Sequence, residues 1–388
     1  MTGEILLSPR KFVAPEFVYG VDSRLMVGLY CKKIGGRRIL LVTDKGIEQT
    51  PWLKEIEREL VKHSLEYYIF SGVSPNPRDF EVMEGLRVYE ENKCNLILAI
   101  GGGSVMDCAK GIGIVSSNQG HILDYEGVDR VCKPGPPLLC IPTTGGTAAD
   151  VSQFAIINNT AQRYKFAIIS KAVVPDIALI DPVVLTSMDG FLTACTGMDA
   201  LSHAFEAYVS NANSVFTDLY ALEAIGLIKE NLHTSITNPF DMQARGKVML
   251  ASLYAGLAFS NASLGCVHSL AHSLGGYLDL PHGECNAILL PHVVDFNFDL
   301  AVDKYKRVAG IFGIDNTTAT HMQIKNQLME SLITFKKSLG IHTTLKSKGV
   351  TSDIIPLLAS KAINDPCNAT NPRPPAKADL EVIYKDAM

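Results

Sequence analysis

The chain has no C-x-x-C pair, no block of basic residues and no apolar run long enough to span a bilayer. Each absence closes off a class. Without paired spacing, the nine cysteines at 31, 94, 108, 132, 140, 195, 266, 285 and 367 read as neither a disulfide framework nor a zinc ribbon. An odd, scattered set of reduced thiols fits a cytoplasmic protein. Without a basic patch, a net charge of −5 gives no electrostatic footprint for nucleic acid. Without a spanning segment no membrane partner is expected, and the opening MTGEILLSPRKF lacks the apolar stretch of a signal peptide. What is present is 47% hydrophobic and 19% charged residues in a chain of 388. That describes a well-buried globular protein with room for two domains.

The order of elements divides the chain near residue 185. RRILLVTD (37–44), LEYYIF (65–70), NLILAI (95–100) and PLLCIPTT (137–144) are short apolar runs that read as strands. Helical patterns at 52–63, 78–93 and 104–117 alternate with them, and 166–182 adds two more short apolar runs. Such alternation predicts a parallel sheet flanked by helices. From Asp189 onward the texture becomes helical, at 189–210, 214–232, 241–260, 262–276 and 301–312. The tail beyond 365 is broken by proline and ends in one short helix. The expected fold is therefore an α/β N-terminal nucleotide-binding domain over 1–185, with a Rossmann-like parallel sheet, and an all-α C-terminal metal-binding domain over 186–388.

NLILAIGGGSVMDCAK (95–110) is a strand, three glycines and a helix start. Glycines let backbone approach a pyrophosphate, and exposed helix N–H groups bind its oxygens. Ser104 is expected as the N-cap, with Asp107 completing a capping box. The spacing matches neither G-x-G-x-x-G, since position 106 is methionine, nor a P-loop. Asp44, at a strand end, suits a ribose diol and repels a 2′-phosphate, which favours NAD over NADP. SPNP around Asn76 and IPTTGGT (141–147), with Thr143, Thr144 and Thr147, supply further turns after strands.

GMDALSHAFEAY (197–208) places Asp199 and His203 one helical turn apart, on one face. GCVHSLAHSLGGYLDLPHGE (265–284) supplies His268, His272 and His282. By spacing, either His268 or His272 serves as a ligand. Three neutral imidazoles and one carboxylate leave a divalent ion with a residual charge of about +1, able to bind and acidify an alcohol. The Pro281-His282-Gly283 stretch reads as a turn that frees the third imidazole.

In order along nearly the whole chain, GGGSVMDCAK, PNP, IPTTGGTAAD, GMDALSHAFEAY, GCVHSLAHSLGGYLDLPHGECNAILLP and the final NPR resemble the iron-containing (group III) alcohol dehydrogenases. The resemblance implies NAD-dependent interconversion of short-chain primary alcohols or diols with their aldehydes. It assigns the metal to Asp199, His203, His268 and His282, and leaves His272 unligated as a proton relay. It places dinucleotide contacts on Asp44, Asn76, Gly102, Gly103, Ser104, Thr143, Thr144, Thr147 and Lys165. It favours Fe2+, although imidazoles and a carboxylate suit Zn2+ and other first-row ions as well. It also implies a homo-oligomer, from dimer to decamer. Ala148, Ala149 and Asp150 stand where the family more often has glycine, serine and glutamate, which bears on the cofactor loop.

Three other readings compete. A glycerol or polyol dehydrogenase of the same superfamily differs only in substrate and metal. A metal-dependent sugar-acid cyclase of the dehydroquinate synthase type needs several Lys and Arg side chains beside the histidines, where this chain has almost none. A non-catalytic NAD- and metal-binding protein has no need to keep a complete ligand set together with His272.

Overall fold

A computed structural model describes residues 9–388. They form two compact units, one of Val13–Met188 and one of Asp189–Met388 together with residues 9–12.

The first unit is built on a six-stranded sheet. Its strands are β1 (Glu16–Tyr19), β2 (Arg38–Asp44), β3 (Glu66–Val73), β4 (Leu96–Gly101), β6 (Leu138–Pro142) and β9 (Ile177–Ile180), in the order β1-β9-β6-β4-β2-β3. Every pairing in it is parallel, as the alternation of strand and helix requires. β4 and β6 are buried along their whole length, which is why they read as unbroken apolar runs. The intervening helices are α1 (Val27–Lys33), α2 (Lys45–Glu48), α3 (Pro51–Lys62), α4 (Asp79–Glu91) and α5 (Gly103–Ser117). From β2 the chain steps outward to β3, then returns to the far side of β2 with β4 and continues through β6 and β9. That reversal opens a crevice at the carboxyl ends of β2 and β4, the usual ligand position in such sheets.

The same unit carries a three-stranded sheet of β5 (Gly127–Val128), β8 (Tyr164–Ile169) and β7 (Phe154–Asn159), of which the apolar run beginning at residue 166 predicts only β8. Here β7 and β8 form an antiparallel hairpin. β1 was also unanticipated, because four residues with mostly exposed side chains leave no hydrophobic period to read.

The second unit is helical: α6 (Gly190–Val209), α7 (Val215–Thr237), α8 (Met242–Ala262), α9 (Cys266–Leu278), α10 (His282–Asn297), α11 (Val302–Ile311), α12 (His321–Ser338), α13 (Ile355–Ala362) and α14 (Lys377–Asp386). Asp189 caps α6 by accepting from the Leu192 amide at 2.7 Å, and Ser214 caps α7 with Thr217 closing the box. Between α8 and α9 the chain bends by 100°. Gly265 sits in that corner, where a Cβ would lie 2.6 Å from Asn371 Oδ1 and 3.0 Å from Glu206 Oε1. Only glycine fits. Asn371, from the NPR sequence, accepts there from the Cys266 amide at 3.2 Å and so supplies the cap that Gly265 lacks. Tyr384 of α14 donates to the Leu270 carbonyl of α9 at 2.8 Å. Among the described residues no single helix is long and apolar enough to cross a membrane.

Candidate functional site

In the helical unit, three helices each present a pair of residues one turn apart: Asp199 and His203 on α6, His268 and His272 on α9, His282 and Asn286 on α10. The pairs converge. Asp199 Oδ1 lies 3.6 Å from Nε2 of His268, 3.6 Å from Nε2 of His282 and 3.9 Å from Nε2 of His203. The His203 ring stacks on His268 on one side, centroids 4.4 Å apart, and on Phe259 on the other, at 4.3 Å. Asp199, His203 and His268 are buried, and His282 is partly open. An ion with tetrahedral bonds of about 2.1 Å would hold its ligand atoms ~3.4 Å apart. Asp199, His268 and His282, whose candidate ligand atoms all lie within 4.8 Å of one another, and their oxygen–imidazole donor set therefore fit a first-row divalent ion, while His203 stands outside that trio with its Nε2 3.9 Å from Asp199 Oδ1.

His282 is the first residue of α10, with Pro281 as N-cap, rather than part of a free turn. Proline before the helix and Glu284 in its first turn are ordinary start signals that the following glycine obscured. Gly283 is needed for another reason: a Cβ there would lie 2.4 Å from the Cys195 carbonyl of α6. The missing side chain lets α10 approach α6 closely enough for His282 to meet Asp199.

Two carboxylates overlooked in the sequence orient the imidazoles. Glu206, buried on α6, accepts from His268 Nδ1 at 2.5 Å with one oxygen and from the Val267 amide at 2.6 Å with the other. The bond fixes Nδ1 as the donor and turns the Nε2 lone pair toward Asp199. Asp365 accepts from His272 Nδ1 at 2.8 Å and from the Cys367 amide at 2.9 Å. His272, Asp365 and Cys367 thus also cluster, but the carboxylate is engaged in holding the ring and the backbone. Both acids lay within reach of sequence logic, Glu206 three residues after His203 and Asp365 six before Asn371.

Charge distribution follows. Burial pushes the Asp199 carboxyl up, but His203, His282 and His268 together outweigh it and hold it well below the usual carboxylate range. Burial pulls His268 down, while the carboxylates of Glu206 and Asp199 pull it up. Burial pushes the Cys367 thiol well up, so it stays protonated.

In the α/β unit, the residues expected to meet a dinucleotide follow the carboxyl ends of strands. Asp44 ends β2, Asn76 follows β3, Gly102, Gly103 and Ser104 follow β4, and Thr143, Thr144 and Thr147 follow β6. Asn76 has φ +57°; its amide donates to Ser104 Oγ at 3.2 Å, and Lys165 of β8 donates to its Oδ1 at 2.5 Å. A Cβ on Gly103 would lie 2.8 Å from Thr147, so glycine lets the two turns touch. Asp44 stands one strand away and caps α2, accepting from the Ile47 amide at 2.9 Å. Ser104 is not the N-cap expected: α5 starts at Gly103 with Gly102 at the cap, which has no side chain to bond the first amides. Those amides stay available to an anion. Behind them Lys110 is buried, donating to the carbonyls of Ser152 and Phe154 at 2.9 and 2.7 Å. Burial raises the nearby Asp150 to about 6 against the pull of its own backbone amide and of Lys110.

The chain matches known families over both units. Residues 14–182 fit the family model described as iron-containing alcohol dehydrogenase, and residues 193–388 fit its C-terminal region. The 1,3-propanediol dehydrogenase of Klebsiella pneumoniae is 37% identical over 372 residues, covering 95% of this chain and 96% of that protein. The NAD-dependent methanol dehydrogenase of Bacillus methanolicus is 36% identical, covering 97% and 99%. The crystal structure of a 1,3-propanediol oxidoreductase superposes with a TM-score of 0.95 at 36% identity, over 98% of this chain and 100% of that one.

Proposed function

From the premise that this chain belongs to the iron-containing alcohol dehydrogenase family, we propose that Asp199, His203, His268 and His282 hold a ferrous ion and that the substrates are short-chain primary alcohols or diols. The chain is an alcohol dehydrogenase that interconverts alcohols and aldehydes with NAD. The observation that carries the metal reading is the convergence of imidazoles from three helices on one oxygen of Asp199.

When bound, a divalent ion supplies positive charge that lowers the pKa of an alcohol oxygen and so makes its C–H a hydride donor. The chain's residues do the rest. Asp199 would contribute a single negative charge, so that three neutral rings and one carboxylate would leave a bound ion net positive. Glu206 keeps the His268 Nε2 lone pair facing inward. Phe259 lies flat against His203 and keeps water from that side. Asp365 holds Nδ1 of His272, which leaves Nε2 as the nitrogen that takes up the alcohol proton and passes it on. In the α/β unit, the α5 amides would receive the pyrophosphate, Asn76, Ser104, Lys165 and the threonine turn at 143–147 would help hold the dinucleotide, and Asp44 would accept from the ribose diol and disfavour NADP.

Self-association and a cytoplasmic location belong to the same proposal. The exposed apolar side chains Val215, Phe216 and Leu219 on α7 support the first, and nine free cysteines support the second. The test is NAD+ reduction over a panel of one- to four-carbon alcohols and diols, with bound metal measured on the same sample. Chelation should abolish turnover and Fe2+ should restore it. Turnover that survives complete metal removal would overturn the reading, and full recovery with Zn2+ alone would reassign the ion.

A further inference from the structure

We propose that Asn286 holds the converging ligand atoms together while no ion is bound, and yields to the ion on binding, so that it sets how much metal stabilises the helical unit. The proposal rests on the metal reading above. Asn286 follows His282 by one turn of α10 and its side chain is fully buried. Its Nδ2 lies 2.6 Å from Asp199 Oδ1, 3.1 Å from His268 Nε2 and 3.2 Å from His282 Nε2. Those are the three atoms that come within 4.8 Å of one another as a candidate ligand cluster.

The carboxamide is used one-sidedly. Its nitrogen has two N–H donors, enough for Asp199 and one imidazole at a time. Its Oδ1 is buried and makes no hydrogen bond. An amide retained only for packing would be expected to satisfy its oxygen as well, because a buried unpaired carbonyl is costly. Here the nitrogen end donates to Asp199 Oδ1 and meets two imidazole nitrogens, and the oxygen end goes without a partner. A carboxylate oxygen and two imidazole nitrogens facing one point favour positive charge among them, and partial charge on an amide hydrogen is the weaker substitute for a cation. An arriving ion serves the same atoms more strongly and makes these N–H groups redundant. The amide and the ion therefore compete.

Linkage turns that competition into paired readouts. The experiment compares wild type with Asn286→Leu, which keeps volume without donors, and Asn286→Asp, which keeps shape but replaces the donor with an acceptor. Thermal midpoints are measured on chelator-stripped and Fe2+-loaded protein under anaerobic conditions, and affinity by competition with a chromophoric chelator. In Asn286→Leu the stripped midpoint should fall by about 2–4 °C while the loaded midpoint stays near wild type. Fe2+ should bind roughly three- to tenfold more tightly, the size of one lost hydrogen bond. Asn286→Asp should show a larger fall when stripped and a greater gain in affinity. A Leu variant that folds only with metal supports the proposal, and if it folds in neither state Asn286→Asp decides. Equal falls in both states, or weaker Fe2+ binding by either variant, would overturn it. Wild type that binds no divalent ion would instead sink the metal reading.

Discussion

The Glu206–His268 pair gives the sharpest test of how the metal centre is held. The carboxylate offers two acceptors to two donors, His268 Nδ1 at 2.5 Å and the Val267 amide at 2.6 Å, and both partners are buried. Glu206→Gln keeps the shape but leaves one acceptor and adds an N–H2 group. One of two things must happen. Either the amide donor faces the Val267 N–H and the first turn of α9 loses a bond, or His268 shifts its proton to Nε2 and presents N–H to the ligand side. Both weaken the site, and losing a carboxylate partner of this kind costs roughly 10- to 100-fold in metal affinity, or about 1.4–2.7 kcal/mol. The assay is competition for Fe2+ against a chromophoric chelator, with the stripped thermal midpoint as a control for folding. An affinity within about threefold of wild type would refute the argument.

Asp199→Asn removes the only charge in the ligand set while keeping its size, so metal content should fall to near zero and turnover by more than ~100-fold; retained stoichiometric metal would count against Asp199 as ligand. Asp44→Ser keeps an oxygen to cap α2 but removes the carboxylate, and the ratio of kcat/KM for NADP over NAD should rise about tenfold or more. No change in that ratio removes Asp44 from the ribose site. Asp150 holds its proton more tightly folded, at about 6, than unfolded, at 3.8. Its stabilising contribution is therefore complete below pH 4 and lost as pH rises through 6. Relative to wild type, Asp150→Asn should gain stability over that window, by up to about 3 kcal/mol, and then level off. A difference that stays flat from pH 4 to 7 would show that the carboxyl does not titrate there.

Where hydrophobic period was strong, the chain could be read directly. β2, β4 and β6 announce themselves by unbroken apolar runs because both their faces are covered. Asp199 and His203 declare a shared helix face by spacing alone, as do His268 and His272. What stayed hidden depended on contacts distant in sequence. The β7–β8 hairpin and its place beside Asn76 are set by pairings that no local pattern encodes. Gly283 suggested a turn, although its role is to let α10 pack against Cys195. Ser104 carried the chemistry of a cap but serves the Asn76 amide instead. Glu206 and Asn286 stand at helical spacing from His203 and His282, but their contacts with His268 and Asp199 cross between helices and leave no local signal.

The corner at Gly265 has a consequence for how the protein is made. The start of α9, which carries His268, is capped by Asn371, and its middle is tied to Tyr384. Both lie some hundred residues downstream, so a nascent chain that already contains every ligand still lacks the clamps that set His268 in place. The α/β unit emerges first and is free to fold during translation. On the proposed metal reading, loading of the ion would then wait until the segment bearing Asn371 and Tyr384 has left the ribosome.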